Sequence, residues 1–182
     1  MPDLHIVVLA AGKGTRMRSA LPKVLHRIAG RPMLEYVLDA ASALSPTTTT
    51  VVVGHQASVV QATVGARPGL GFAVQEPQLG TAHALLSAEP ALADCTGTLL
   101  LLSGDVPRLS SATLRALLER HIETRAAATV VTAIVDAPAG YGRIVRQPAD
   151  ATGRHSEETF PHARDAPRPP TCSRAPCTAG GS

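Results

Sequence analysis

Leu9-Ala10-Ala11-Gly12-Lys13-Gly14-Thr15-Arg16-Met17, followed after Arg18-Ser19-Ala20 by Leu21-Pro22-Lys23, is the stretch on which the reading of this chain turns. It follows a short apolar run, His5 to Ala10, whose β-branched and leucine residues predict a strand. Small residues and two glycines at the carboxyl end of a leading strand let backbone N–H groups come close to a ligand, and such a nest favours an anion. Thr15 adds a hydroxyl, and Lys13, Arg16 and Lys23 add positive charge over the same small volume. The chain has fifteen Arg and only two Lys, and both lysines lie here, as expected where a compact ammonium is wanted rather than a planar fork. The stretch is not a Walker loop, for no Gly-Lys-Ser/Thr follows at the required distance. Nor is it a dinucleotide fingerprint, because Met17 stands where the third glycine would be.

Outward from this loop, strands are expected at about His5–Ala10, Thr49–Val53, Gly71–Gln75, Gly97–Ser103 and Thr129–Val135. Helices are expected between them. Pro32 is expected to open one at its first position, with Met33, Val37, Ala40, Ala41 and Leu44 on one face and Ser45-Pro46 as its end. Others follow His55 and Thr81, and a fourth begins near Ser110 or Ser111 with Leu114, Leu117, Leu118, His121 and Ile122 as a buried stripe. Alternation of this kind predicts an α/β domain on a mostly parallel sheet flanked by helices.

At 182 residues the chain suits one compact domain. With no Trp, two Phe and two Tyr, its core must be aliphatic and it has few rings on which bases could stack. The net charge of +3 falls to near neutrality before residue 150, and the basic residues form no run longer than the loop cluster. A small anion is the expected partner, not nucleic acid. The N-terminus has no basic region and no apolar span long enough for a bilayer, so neither export nor a membrane partner is expected. Three unevenly spaced cysteines fit a reducing cytoplasm. From Ala151 to Ser182 there is no Val, Ile, Leu or Met, so residues 1–150 are expected to carry the domain and 151–182 a disordered, divergent tail.

Two further segments end strands. Gln75-Glu76-Pro77-Gln78-Leu79-Gly80-Thr81-Ala82-His83-Ala84 offers an amide and backbone groups to the edge of a base, and reads equally well in outline as a turn with Thr81 as a helix cap. Leu99 to Leu102 reads as a buried strand that delivers Ser103-Gly104-Asp105-Val106-Pro107 to the carboxyl edge of the sheet. There Asp105 is either a hard-oxygen ligand for Mg²⁺ or a turn aspartate.

The loop resembles the signature of the sugar-nucleotide pyrophosphorylases, Leu-Ala-Ala-Gly-x-Gly-Thr-Arg-Met followed by Leu-Pro-Lys. The Gln75–Ala84 and Gly104–Pro107 segments, with Gly140-Tyr141-Gly142-Arg143-Ile144, resemble the N-acetylglucosamine-1-phosphate uridylyltransferases that are fused to glucosamine-1-phosphate acetyltransferases. The resemblance implies a Rossmann-like nucleotidyltransferase (nucleotide-diphospho-sugar transferase) fold, here incomplete at its C-terminus. It implies that UTP reacts with N-acetylglucosamine 1-phosphate to give UDP-N-acetylglucosamine and pyrophosphate, for cell-envelope precursors in the cytoplasm. Carried over residue by residue, Leu9, Ala10, Ala11, Gly12, Lys13, Gly14 and Thr15 wrap the nucleotide, and Gln75, Gly80 and Thr81 contact uracil. Arg16 and Lys23 are catalytic, Asp105 holds Mg²⁺, and Ser103, Gly104 and Gly140 lie against the sugar. The resemblance runs from residue 5 to about 148. It lacks the later sugar- and metal-binding residues and the trimerising β-helix, which predicts weak or no turnover. The competing expectations are another nucleotidyltransferase, for guanylyl or thymidylyl transfer, or a catalytically dead nucleotide-binding remnant.

Overall fold

The computed structural model describes residues 3–12, 14, 17, 19–54, 56–136 and 142. Residues 1–129 and 130–182 form two separate units, and the fold that can be described lies in the first. Its centre is β1 (Leu4–Leu9), with Ile6, Val7 and Val8 wholly buried. Such a continuous apolar run belongs in a strand covered on both faces. On one side β1 pairs in parallel with β4 (Thr48–Val53), which pairs in parallel with β5 (Leu70–Val74). On its other side β1 pairs in parallel with β6 (Thr98–Ser103), giving the order β5-β4-β1-β6. The chain thus builds outward from β1 in one direction and then returns to its other side. The crevice at the carboxyl ends of β1 and β6 is the switch point where open α/β sheets bind ligands.

The alternation of side chains along the strands divides the core. Ile6 and Val8 with Val51, Val53, Leu100 and Leu102 face α1 (Met33–Ser42), α2 (Ala57–Val64) and α5 (Ser111–Thr124), meeting Leu34, Val37, Leu38, Ala41, Val60 and Leu114. On the opposite face Val7 and Val52 meet Ala84 of α3 (Thr81–Leu86) and Ala88, just before the short α4 (Glu89–Leu92). Small alanines bring these helices close but cover little area. As a result Leu99 and Leu101 of β6, expected to be buried, remain 44% and 41% exposed.

Other details differ from expectation. Pro32 precedes α1 as its cap residue, and the helix ends at Ser42, before Ser45-Pro46. Leu34 and Leu38 join its buried face. Ahead of it, β2 (Arg27–Ile28) and β3 (Arg31–Pro32) form a small antiparallel hairpin. Ala29 and Gly30 at its tip both have positive φ, as the tight two-residue turns of such hairpins require. Along α5 only Leu114 is fully buried; Leu118 and Ile122 instead border an open cleft of about 300 Å³ with Leu4 and Leu44. Thr129–Val135 forms no strand. A strand exists through its ladder, and these residues find no ladder partner among the described residues; the hydrogen bond there joins the Thr129 hydroxyl to His121 Nδ1 at 3.0 Å. No helix there is long and apolar enough to cross a membrane. The expected disorder of 151–182 falls outside the described residues.

Ser110 caps α5, its hydroxyl accepting the Thr113 backbone N–H at 3.1 Å. Ser110→Ala is expected to cost about 1 kcal/mol. In a domain of this size that lowers the midpoint of thermal unfolding by about 3 °C, measurable by circular dichroism.

Candidate active site

A cavity of about 430 Å³ opens at the carboxyl ends of the central strands. Four segments far apart in sequence meet there: the end of β1, the turn after Pro22, the β5–α3 connection and the end of β6. The β1 ladder continues one residue past the strand, Ala10 N–H donating to the Val52 carbonyl at 2.8 Å, so the glycine loop begins from a fixed position. Ala10 and Ala11 are nearly buried, and Gly12 then emerges at the surface.

Lys23 starts a single 3-10 turn, Lys23–Leu25, whose Val24 and Leu25 are buried in the core. These two anchors hold the lysine backbone while its side chain stays 40% exposed. Gly14 packs directly behind it. With φ of +59° and only 2.7 Å from a would-be Cβ to the Lys23 Cβ, the position admits no larger residue without displacement of the lysine. Across the crevice, Lys23 Nζ donates to Asp105 Oδ2, and the Ser103 hydroxyl donates to Asp105 Oδ1 at 2.8 Å. Gly104 N–H donates to the Leu9 carbonyl at 2.9 Å, locking the two strand ends together behind this pair. Burial alone would push the Asp105 carboxyl up, but the Lys23 and Ser103 hydrogen bonds and the lysine charge hold it below the usual carboxylate range. It is therefore an anion at neutral pH.

At the other end of the cavity lies Gln75, buried and aligned by its backbone N–H on the Val53 carbonyl at 2.8 Å. Its Nε2 donates to the Gly80 carbonyl at 3.0 Å and lies 3.1 Å from His83 Nδ1. Gln78 lines the same wall, and its Oε1 is buried without a partner among the described residues. Gly54 makes this close approach possible. A Cβ there would sit 2.1 Å from Gln78 Nε2 and 2.8 Å from the Ala11 carbonyl. Gly54→Ala must push Gln78 into the cavity or shift the β1 loop. For the nucleotide expected from the sequence, the predicted result is a loss of about tenfold or more in affinity by titration calorimetry, with the fold retained by circular dichroism.

Of the residues singled out from the sequence, Leu9, Ala10, Ala11, Gly12, Lys23, Gln75, Gly80, Thr81, Ser103 and Asp105 line this one cavity. Gly14 and Gly104 stand immediately behind its wall. Thr81 is the first residue of α3 rather than its cap, which is Gly80. Lys13, Thr15, Arg16 and Gly140 fall outside the described residues, as does His55. Gly54, Gln78 and His83 were not singled out. Among the described residues no three His, Cys, Asp or Glu side chains gather as a metal site would require. A single ionised carboxylate at this end of the cavity still fits a hard cation that takes most of its oxygens from a ligand and water.

The sequence pattern of the MobA-like NTP transferase domain matches residues 6–177. The bifunctional protein GlmU of Brevibacillus brevis is 52% identical over 149 residues, a match covering 82% of this chain and 32% of that protein. The chain thus spans about a third of the length of the curated relatives it matches. Among solved structures, Rv0371c from Mycobacterium tuberculosis is similar with a TM-score of 0.54 and 27% identity, over 65% of this chain and 60% of that one. The same protein in complex with manganese matches with a TM-score of 0.50 and 29% identity, over 64% and 58%. A nucleotidyl transferase from Methanothermobacter thermautotroptrophicus gives 0.56 and 27%, over 64% and 57%.

Proposed function

The chain belongs to the MobA-like NTP transferase domain family, and from that premise we propose that it forms the uridylyltransferase site for N-acetylglucosamine 1-phosphate. A phosphate oxygen of the sugar phosphate attacks the α-phosphorus of UTP, a new P–O bond forms, and pyrophosphate leaves with the electron pair of the broken bond. The products are UDP-N-acetylglucosamine and pyrophosphate. The observation that carries the reading is the shared cavity, with the Lys23–Asp105 pair at one end and the buried Gln75 amide at the other. This spacing suits a ligand with charge at one end and a base edge at the other. Identity of 52% to a GlmU protein supports uridylyl transfer within the family.

No protein nucleophile is needed, because phosphoryl-type transfer is catalysed chiefly by positioning and charge neutralisation. The loop after β1 would wrap the triphosphate with its N–H groups. Lys23, with Arg16 from the same loop, would balance the charge that grows on the departing pyrophosphate. Gln75, Gly80 and Thr81 would seat the uracil, and Ser103, Gly104 and Gly140 would border the sugar. Asp105 would hold the divalent cation, Mg²⁺ in this reading, which when bound would supply positive charge to the reacting phosphates; the manganese complex of Rv0371c shows that a protein of this fold takes such an ion. The implied setting is cytoplasmic synthesis of envelope precursors.

The test is a thermal-shift panel of UTP, dTTP, CTP and GTP with Mg²⁺, followed by pyrophosphate release on adding N-acetylglucosamine 1-phosphate. UTP is expected to raise the unfolding midpoint by several degrees, since about 100 times Kd contributes about 2.7 kcal/mol. A rise with GTP and none with UTP would overturn the uridylyl assignment. A parent-like UTP response after neutralising both Arg16 and Lys23 would overturn the phosphate site.

A further inference from the structure

The uracil end of the cavity contains a hydrogen-bond arrangement that fixes which atom of Gln75 the ligand meets. A glutamine amide presents either its oxygen or its NH₂, and the choice is set by neighbours. Here the Gly80 carbonyl, which can only accept, takes a hydrogen from Gln75 Nε2 at 3.0 Å while also accepting the Ala84 backbone N–H at 3.0 Å. The same NH₂ group lies 3.1 Å from His83 Nδ1, which takes its second hydrogen when the ring proton is on Nε2. Both amide hydrogens are consumed. Gln75 Oε1 is then the group left for a ligand, with no hydrogen bond to it among the described residues, in a side chain only 4% exposed on the cavity wall. Gln78 differs: its amide is packed against Gly54 and makes no side-chain hydrogen bond among the described residues, so no neighbour fixes which of its two ends a base would meet.

We infer that His83 is a positioning residue that holds Gln75 as an obligate acceptor, so that the pocket takes bases with a ring N–H and rejects those with a ring lone pair. This deepens the uridylyl reading and rests on it. Uracil offers its N3–H to Gln75 Oε1. Cytosine, of the same size, offers the lone pair of N3, which leaves two acceptors facing one another in a buried place. The inference requires His83 to carry its proton on Nε2, leaving Nδ1 to accept. His83 is well placed for this duty. It is the third residue of α3, half-buried, and its backbone carbonyl accepts the Ser87 hydroxyl at 2.9 Å and the Ser87 N–H at 3.0 Å, so the ring is carried by a bonded helical turn.

The experiment compares UTP and CTP affinities, with Mg²⁺, for the full chain and two variants. His83→Leu removes the acceptor; His83→Asn keeps an acceptor near the Nδ1 position. The UTP-over-CTP preference is expected to fall about tenfold or more in the Leu variant, by weaker UTP and tighter CTP binding, and to return in the Asn variant. A merely structural role would weaken both nucleotides together and leave the ratio unmoved, which overturns the inference. Should the Leu variant fail to fold, ¹⁵N shifts of the parent ring decide it: a proton on Nε2 supports the inference, and a proton on Nδ1 refutes it. Failure of the two ideas can be told apart. If the parent prefers GTP to UTP, yet loses its discrimination against ATP in the Leu variant, the uridylyl assignment falls and the ring N–H rule stands. If the parent prefers UTP and His83→Leu does so equally, the rule falls alone.

Discussion

Lys23→Met is expected to weaken binding of UTP with Mg²⁺ by about 100-fold while moving the ligand-free unfolding midpoint by no more than about 3 °C. The two numbers come from different physics. In the ligand-free protein Lys23 pairs with Asp105, but the side chains are 40% and 30% exposed, and a pair so open to water contributes about 0–1 kcal/mol. Methionine keeps the aliphatic stem that packs against Gly14. Against a triphosphate bound as proposed, the same ammonium would form a charge-assisted hydrogen bond worth about 1.5–3 kcal/mol, with more at a transition state that gathers charge. A lysine kept for stability would show the opposite pattern, a fall in midpoint with little change in affinity. Calorimetric titration together with thermal unfolding of the same two proteins separates the cases.

Asp105→Asn carries the second large effect, and its sign depends on the metal. The parent is expected to bind UTP about 100-fold more tightly with Mg²⁺ than in a chelator, because an ionised carboxylate is a far better ligand for a hard cation than a neutral amide. In the variant that gain should shrink to within about threefold. Without metal the order reverses. Loss of the carboxylate frees Lys23 from its partner, so the variant should bind metal-free UTP at least as well as the parent. A variant that kept the full Mg²⁺ dependence would remove Asp105 from the metal site. A variant weaker than the parent in both conditions would assign it to holding the strand end in place.

The four sheet strands were legible in the sequence to within about one residue because each is a short, mostly apolar or β-branched run bounded by turn residues, although only β1 and β4 are buried on both faces. The juxtaposition of Gly12, Gly14 and Lys23 was legible for a related reason: they lie within one loop, so local spacing suffices to bring them together. What local spacing could not supply was the content of the walls. Gly54 ends β4 and looks like an ordinary turn glycine, yet it provides the gap into which Gln78 fits from the next connection. His83 reads as one residue of a helix, and its ring reaches Gln75 only through the path of the β5–α3 connection. The Lys23–Asp105 pair spans 82 positions, and neither residue's neighbours announce the other. The over-reading of β6 and of the far end of α5 as buried has a single cause, since periodicity shows which side chains share a face and not whether anything covers it.

The return of the chain to the far side of β1 has a bearing on its synthesis. The glycine loop and the Gln75 wall leave the ribosome well before Asp105 does, and only when β6 is in place does the cavity close into one hollow. Because Leu114 of α5 completes the core on one face of the sheet, only nascent chains that have also released α5 have both the hollow and the packing that keeps it in shape, and they are the first that a ligand of this cavity would stabilise.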